Sequence, residues 1–125
     1  MKKLMIALLF VSAPAWAEWT LVRSNEDFDA YADLATVRKD GNTVQMWTLA
    51  DLKTSHQIEG ITFLSGKTQY EFDCNEKRIK ILSLTAHSRN MGAEEPVYSN
   101  ASPQQWEPVP AGSIVESIWM IACKP

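Results

Sequence analysis

Apolar and polar residues alternate along much of the chain, which is the pattern of a strand that buries one face. In residues 69–74, Tyr70, Phe72 and Cys74 share one parity and the polar side chains share the other. Successive side chains of a strand point to opposite faces, so the pattern predicts a strand with Cys74 on the core side.

This strand is predicted to form an antiparallel hairpin with the next apolar run, over residues 68–87, because the polar residues 74–78 supply a turn. Along the second run the parity of the apolar positions changes between Ile81 and Leu82. Such a change indicates a β-bulge near these two residues, or a strand that is buried on both faces.

Three more strands are predicted, over residues 19–23, 31–38 and 43–52. The last of them follows the turn signal Asp-Gly-Asn at 40–42, and residues 31–38 are its expected partner. Residues 54–65 carry no clear pattern. Residues 99–112 contain three prolines and are expected to form a surface connection rather than a central strand.

The C-terminal segment has a different period. Its apolar residues follow helical spacing over residues 113–124, and Ser113 with Glu116 three positions later matches a capping box. The predicted fold class is therefore α+β, with an antiparallel β-sheet of about five to six strands and a C-terminal helix packed on it.

Residues 1–17 have the three parts of a secretory signal peptide: the basic residues Lys2 and Lys3, a short apolar run and small residues before a cleavage site after Ala17. The apolar run is shorter than the roughly 20 residues that span a bilayer. We therefore expect an exported protein in which residues 18–125 form a single domain without stable membrane insertion.

Removal of the signal peptide makes the chain more acidic. The mature chain keeps all 15 acidic residues but only 10 of the 12 basic ones, since Lys2 and Lys3 are lost, and the formal charge moves from −3 to −5. An acidic surface repels phosphate backbones, so nucleic acid is not an expected partner.

The two cysteines, Cys74 and Cys123, are expected to form a structural disulfide. An exported chain meets an oxidising environment, in which two thiols in a small domain usually pair. They lie 49 positions apart, so C-x-x-C redox and zinc spacings are absent. A crosslink of this span stabilises by about 4 kcal/mol in the chain-entropy model.

Other candidate motifs fail on spacing. Residues 60–68 resemble a P-loop, but five residues instead of four separate the two glycines. The acidic run at 25–33 lacks the glycine and glutamate of a calcium loop. His56 and His87 have no zinc-ligand spacing. We therefore expect no metal, no cofactor and no catalytic residues.

Four tryptophans remain in the mature chain, and most of them are expected in the core, because a large ring buries much apolar surface. Trp106 lies in the proline-rich connection beside two glutamines. Trp106 is therefore the candidate for a binding surface. The equal alternative is that Trp106 folds back as a lid on the core.

An ordered set of short motifs resembles the surface-adhesin protein E family. The motifs are YAD at 31–33, VQMWTLADLK at 44–53, EFDC at 71–74, Trp106, PAGS at 110–113 and the final Cys123. The resemblance covers nearly all of the mature chain. It implies an antiparallel sheet with a packed helix, a Cys74–Cys123 disulfide and no enzymatic activity.

The resemblance also implies cell adhesion through host matrix proteins such as vitronectin and laminin, and it is compatible with a homodimer. The signal sequence ends at Ala17 with no cysteine to acylate, so the expected location is the periplasm, the medium or the cell surface without a lipid anchor. Two alternatives stay open: an envelope protein with a structural or accessory role, and a small periplasmic enzyme that uses His87 with a nearby acid.

Overall fold

In a computed structural model, residues 18–125 form one antiparallel sheet and one helix. The elements are β1 (Thr20–Ser24), β2 (Phe28–Asp40), β3 (Thr43–Ile58), β4 (Ile61–Asp73), β5 (Arg78–His87), a 3-10 turn (Asn90–Gly92), β6 (Pro96–Asn100), β7 (Glu107–Pro108) and α1 (Ile114–Ala122). The predicted signal peptide lies outside the described residues.

The strands follow one another across the sheet in the order β1 to β6, and β7 also pairs with β5. Since β4 occupies one edge of β5, strands β6 and β7 share its other edge, at opposite ends. Between them, the Gln104 amide donates to the Ile81 carbonyl at 2.8 Å. Residues 99–112 therefore run along the rim of the sheet, as predicted, and the short β6 and β7 bring the strand number to seven.

Helix α1 packs on one face of the sheet and forms the core with it. The most buried apolar residues of this core are Ala30, Ala32, Val44, Met46, Phe72, Ile118 and Ala122. Phe72 and Cys74 face this core, as their parity predicts. The predicted bulge is confirmed, because Gln69 pairs with Ser83 but Tyr70 pairs with Ile81, which leaves Leu82 as the extra residue.

The start of α1 is capped as the sequence predicts. The Ser113 hydroxyl accepts a hydrogen bond from the Glu116 amide at 3.0 Å, and the Glu116 carboxylate accepts one from the Gly112 amide at 2.8 Å. These bonds satisfy amides that have no partner within the helix. Immediately after the helix, Cys123 forms the predicted disulfide with Cys74.

Strands β3 and β4 continue beyond the sheet as a projecting hairpin, residues 53–64. Strand β2 pairs with β3 only as far as Leu52, and β5 pairs with β4 only as far as Ser65. The sequence-based end of β3 at residue 52 was therefore wrong, since the strand runs to Ile58. Most of these residues are exposed, so no buried face imposes an alternating pattern on them.

Candidate functional site

The face of the sheet opposite α1 carries a cleft of about 470 Å³, which we call the Trp47 cleft. Strands β2 to β5 supply Asp33, Trp47, Lys67, Thr85 and His87, and the rim consists of Trp19, Thr36 and residues 94–96. A volume of this size is in the range of sites that hold small molecules or side chains.

A β-bulge in β2 builds the floor of the cleft. The register between β2 and β3 shifts between Asp33 and Arg38. The Asp33 Oδ1 atom accepts a hydrogen bond from the Ala35 amide at 3.1 Å, and the Thr36 hydroxyl donates to the Asp33 carbonyl at 2.6 Å. The same hydroxyl accepts from the Trp47 amide at 3.0 Å. The bulge is thus held by side-chain bonds, and Asp33 is only 6 % exposed.

A loop anchored to the sheet forms the opposite wall. The Ser65 hydroxyl accepts a hydrogen bond from the Gly92 amide at 2.8 Å and donates to the Arg89 carbonyl at 2.5 Å. Gly92 has a φ of +66°, and a Cβ there would lie 2.4 Å from the Cε atom of Lys67. The glycine therefore lets the stem of Lys67 pass beneath the loop on its way to the cleft.

Lys67 brings an ammonium group to the cleft. Within residues 18–125, no carboxylate oxygen lies within salt-bridge distance of its Nζ atom, whereas Lys53, Lys77 and Lys80 each have a carboxylate partner. This end of the cleft can therefore accept a carbonyl or carboxylate oxygen from a ligand.

His87 is buried in the cleft wall as a neutral imidazole. Its Nδ1 atom lies 3.1 Å from the Glu94 carbonyl, which can only accept, so Nδ1 carries the proton and Nε2 accepts from the Thr85 hydroxyl at 2.9 Å. Burial lowers the pKa of His87 below 6.5, and the nearby Lys67 lowers it further. The Glu94 carbonyl and the Glu95 carboxylate act in the opposite direction.

The lowered pKa of His87 predicts a pH-dependent stability. Between the folded pKa and 6.5 the unfolded chain binds more protons at this residue, so its stabilising contribution is complete above pH 6.5 and is lost as the pH falls below that value. We expect His87→Gln to flatten the pH dependence of the unfolding free energy between pH 7.5 and 5.5, measured by urea denaturation. An unchanged slope in His87→Gln would contradict this expectation.

Trp106 lies outside the lining of the Trp47 cleft. Its ring has the Arg78 guanidinium at 5.0 Å and the Lys80 ammonium at 4.8 Å from its centre. These cation–π contacts hold the proline-rich connection against β5. The binding role of Trp106 stays a prediction.

The expectation that most tryptophans lie in the core was wrong. All four tryptophans among residues 18–125 are half-buried, and of these four only Trp119 packs against the core residues under α1. Trp47 has the opposite parity to Val44 and Met46, which are buried under α1. The alternation that starts from these two residues would have placed Trp47 on the face opposite α1. For Asp33 in its bulge and for Lys67, the sequence shows no such alternation that would place them in the cleft.

Among residues 18–125, no three histidine, cysteine or acidic side chains are grouped as metal ligands. No helix in this part of the chain is long and apolar enough to cross a membrane.

The sequence matches the family described as surface-adhesin protein E over residues 19–124. No curated protein matches it. A structure of Haemophilus influenzae protein E is similar with a TM-score of 0.67 and 11 % identity, over 92 % of this chain and 90 % of that chain. Crystal form II of the same protein is similar with a TM-score of 0.65 and 9 % identity, over 82 % of this chain and 91 % of that chain. A protein E structure from non-typeable Haemophilus influenzae has a TM-score of 0.57 and 12 % identity, over 91 % of this chain and 82 % of that chain. At these identities the structures establish a shared fold.

Proposed function

The chain belongs to the surface-adhesin protein E family, and from this premise we propose that residues 18–125 are a single exported, non-enzymatic domain that binds a protein. The observation that carries the proposal is the family match over residues 19–124. The ligand would be a host matrix protein, and an envelope protein is the alternative. Of the two faces of the sheet, the one with the Trp47 cleft is not covered by α1 and is the surface we assign to the partner.

The arrangement around His87 supports a binding role over catalysis. A general base needs a ring nitrogen that can reach a substrate, and it usually has an orienting acid behind it. In this protein one nitrogen is bonded to a backbone carbonyl and the other to the Thr85 hydroxyl. Within the described residues, no carboxylate is hydrogen-bonded to the ring. The alternative of a small enzyme that uses His87 therefore has less support.

Two further surfaces could contribute to partner binding. Trp106 lies half-exposed over β5, and it remains the candidate that the sequence nominated. Strand β1 is at the edge of the sheet, and among the described residues it pairs with β2 alone. Its outer edge has backbone groups that suit pairing with a second copy or with a strand of the partner.

The experiment that tests the proposal is localisation followed by capture. A C-terminal epitope tag, protease treatment of intact cells and fractionation of periplasm and medium would place the protein. We expect cleavage after Ala17, protease-accessible protein on intact cells and saturable binding of purified protein to immobilised vitronectin or laminin. Confinement to the periplasm would exclude the host ligand and favour an envelope partner. Binding to no host or envelope protein would overturn the proposal.

A further inference from the structure

The four tryptophans divide into two pairs by what lies over their rings. The Trp106 ring has two cations of the chain over it, and the Trp119 ring has the Lys77 ammonium at 5.4 Å. Within residues 18–125, no lysine or arginine lies over the ring of Trp19 or Trp47. Both of these rings line the Trp47 cleft.

Trp19 and Trp47 lie on either side of Asp33. Asp33 pairs with Trp47 in the sheet, and Trp19 immediately precedes Thr20, the partner of Ala32, so it lies beside Asp33 on the other side. Neighbouring strands are about 4.8 Å apart, which puts the two tryptophan backbones roughly 10 Å from each other. Two indole side chains on backbones at this separation can flank one cationic group above Asp33.

The carboxylate of Asp33 faces this space. Its Oδ1 atom is bonded to the Ala35 amide, while Oδ2 has no hydrogen-bond partner among the described residues. The residue is 6 % exposed and is part of the cleft lining, and Oδ2 is not one of the fully enclosed atoms. A carboxylate oxygen of a residue this buried, in the lining of the cleft, interacts strongly with a cation placed there.

The charge of the rim also favours a cation. Asp33, Glu94 and Glu95 line the cleft, with Lys67 as its cationic residue. The Arg89 guanidinium pairs with Glu94 at 3.2 Å. The negative charges of Asp33 and Glu95 then outnumber the single positive charge of Lys67. The mature chain carries a formal charge of −5, because 10 of the 12 basic residues and all 15 acidic ones remain after signal-peptide removal. Both the local and the overall field therefore attract positive ligands.

We propose that the Trp47 cleft binds one lysine or arginine side chain of the protein ligand, held between the indoles of Trp19 and Trp47 and over the carboxylate of Asp33. This inference rests on the proposed function, since it takes the ligand to be a protein. Tryptophan rings are the strongest aromatic partners for such cations, and partial burial strengthens the contact. At the other end of the cleft, the Lys67 ammonium would donate a hydrogen bond to a backbone carbonyl of the same ligand segment.

The test is a titration of the mature protein with small probes, followed through the indole N–H signals in NMR spectra. The probes are Nα-acetyl-lysine methylamide, Nα-acetyl-arginine methylamide, the uncharged norleucine analogue and choline. We expect shifts confined to Trp19 and Trp47, dissociation constants for the lysine and arginine probes on the order of millimolar, and at least tenfold weaker binding of the norleucine analogue.

Asp33→Asn is the decisive variant. The asparagine keeps a carbonyl oxygen for the Ala35 amide, so the bulge of β2 is retained while the charge is removed. We expect it to weaken binding of the lysine and arginine probes at least tenfold. Trp47→Phe should also weaken binding, because phenylalanine is a poorer cation–π partner. Asp40→Asn, the same change at the exposed end of β2 and outside the cleft lining, is the matched control and should bind the probes as the wild type does.

The outcomes separate this inference from the proposed function. Equal binding of the norleucine analogue, unchanged binding by Asp33→Asn, or absence of any shift at Trp19 and Trp47 would overturn the cation site. Tighter binding of choline than of the lysine and arginine probes would overturn the assignment to a protein side chain. A protein partner that binds while these probes do not would leave the proposed function intact and refute the inference alone.

Discussion

Replacing Cys74 with serine is expected to lower the free energy of unfolding of the mature protein by about 4 kcal/mol. The disulfide joins residues that are 49 positions apart, between the end of β4 and the end of α1. Closing a loop of this length removes conformational entropy from the unfolded chain, which gives an effect of this size in the chain-entropy model. Since a small domain has only about 5–15 kcal/mol of stability, we expect the melting temperature to fall by ~15 °C or more.

The measurement is thermal and urea denaturation of the exported protein, with mass spectrometry to identify the crosslinked peptide. The double variant Cys74→Ser/Cys123→Ser and the chemically reduced wild type are the controls. Both should unfold as the single variant does, because all three lack the same crosslink. Two free thiols in freshly isolated protein would contradict both the expected disulfide and the predicted export. An unchanged midpoint in the single variant would contradict the expected stabilisation by the disulfide.

The elements that the sequence predicts are those whose burial is one-sided. Phe72 and Cys74 alternate with polar residues because they pack in the core under α1. The neighbouring Glu71 and Asp73 form ion pairs with β5 on the opposite face. The change of parity at Leu82 marks a bulge because the apolar side chains before and after this extra residue lie on the same face of the sheet. At Ser113 the start of α1 is predictable because a cap depends on residues three positions apart, and such local contacts are visible in sequence.

The elements that the sequence does not predict lack such a local signal. Residues 53–64 form a two-stranded projection without a covering layer, so nothing selects apolar residues on one face. Strand β7 has two residues, and its pairing with Arg78 and Ile79 depends on where the preceding connection travels. Neither period nor composition encodes that route.

The Trp47 cleft is unpredictable for another reason, because it is assembled from distant parts of the chain. Asp33 lies in a bulge of β2, Trp47 lies in β3, and the wall containing Glu94 follows β5. Each of these residues is unremarkable in its own segment. Only the register of β1, β2 and β3 brings the two indoles and the carboxylate together.

The two faces of the sheet differ in what they contain. The face under α1 contains the core and the disulfide, whereas the opposite face contains the Trp47 cleft and Trp106. Substitutions in the cleft, such as Asp33→Asn, can therefore change ligand binding while the helix-covered core is unchanged. This separation makes the binding experiments interpretable, because loss of binding need not mean loss of fold.

A substitution in the core under α1 is expected to cause the second large loss of stability. Phe72 in β4 is fully buried, at 0 % exposure, and packs beside Tyr70 with 5.5 Å between the ring centres. Phe72→Ala is expected to lower the free energy of unfolding by about 3–5 kcal/mol, because the lost ring leaves a cavity that the surrounding residues fill only partly.

The matched control for Phe72→Ala is Phe63→Ala, the same change in the projecting part of the same strand. Phe63 is half-exposed, and within residues 18–125 its one aromatic neighbour is the His56 ring, at 6.2 Å between centres. Its removal should cost about 1 kcal/mol or less, as is usual for sites away from the core. Urea denaturation of both variants measures the difference. Similar losses at the two positions would mean that the projecting hairpin packs against the domain, which would contradict the one-sided core under α1.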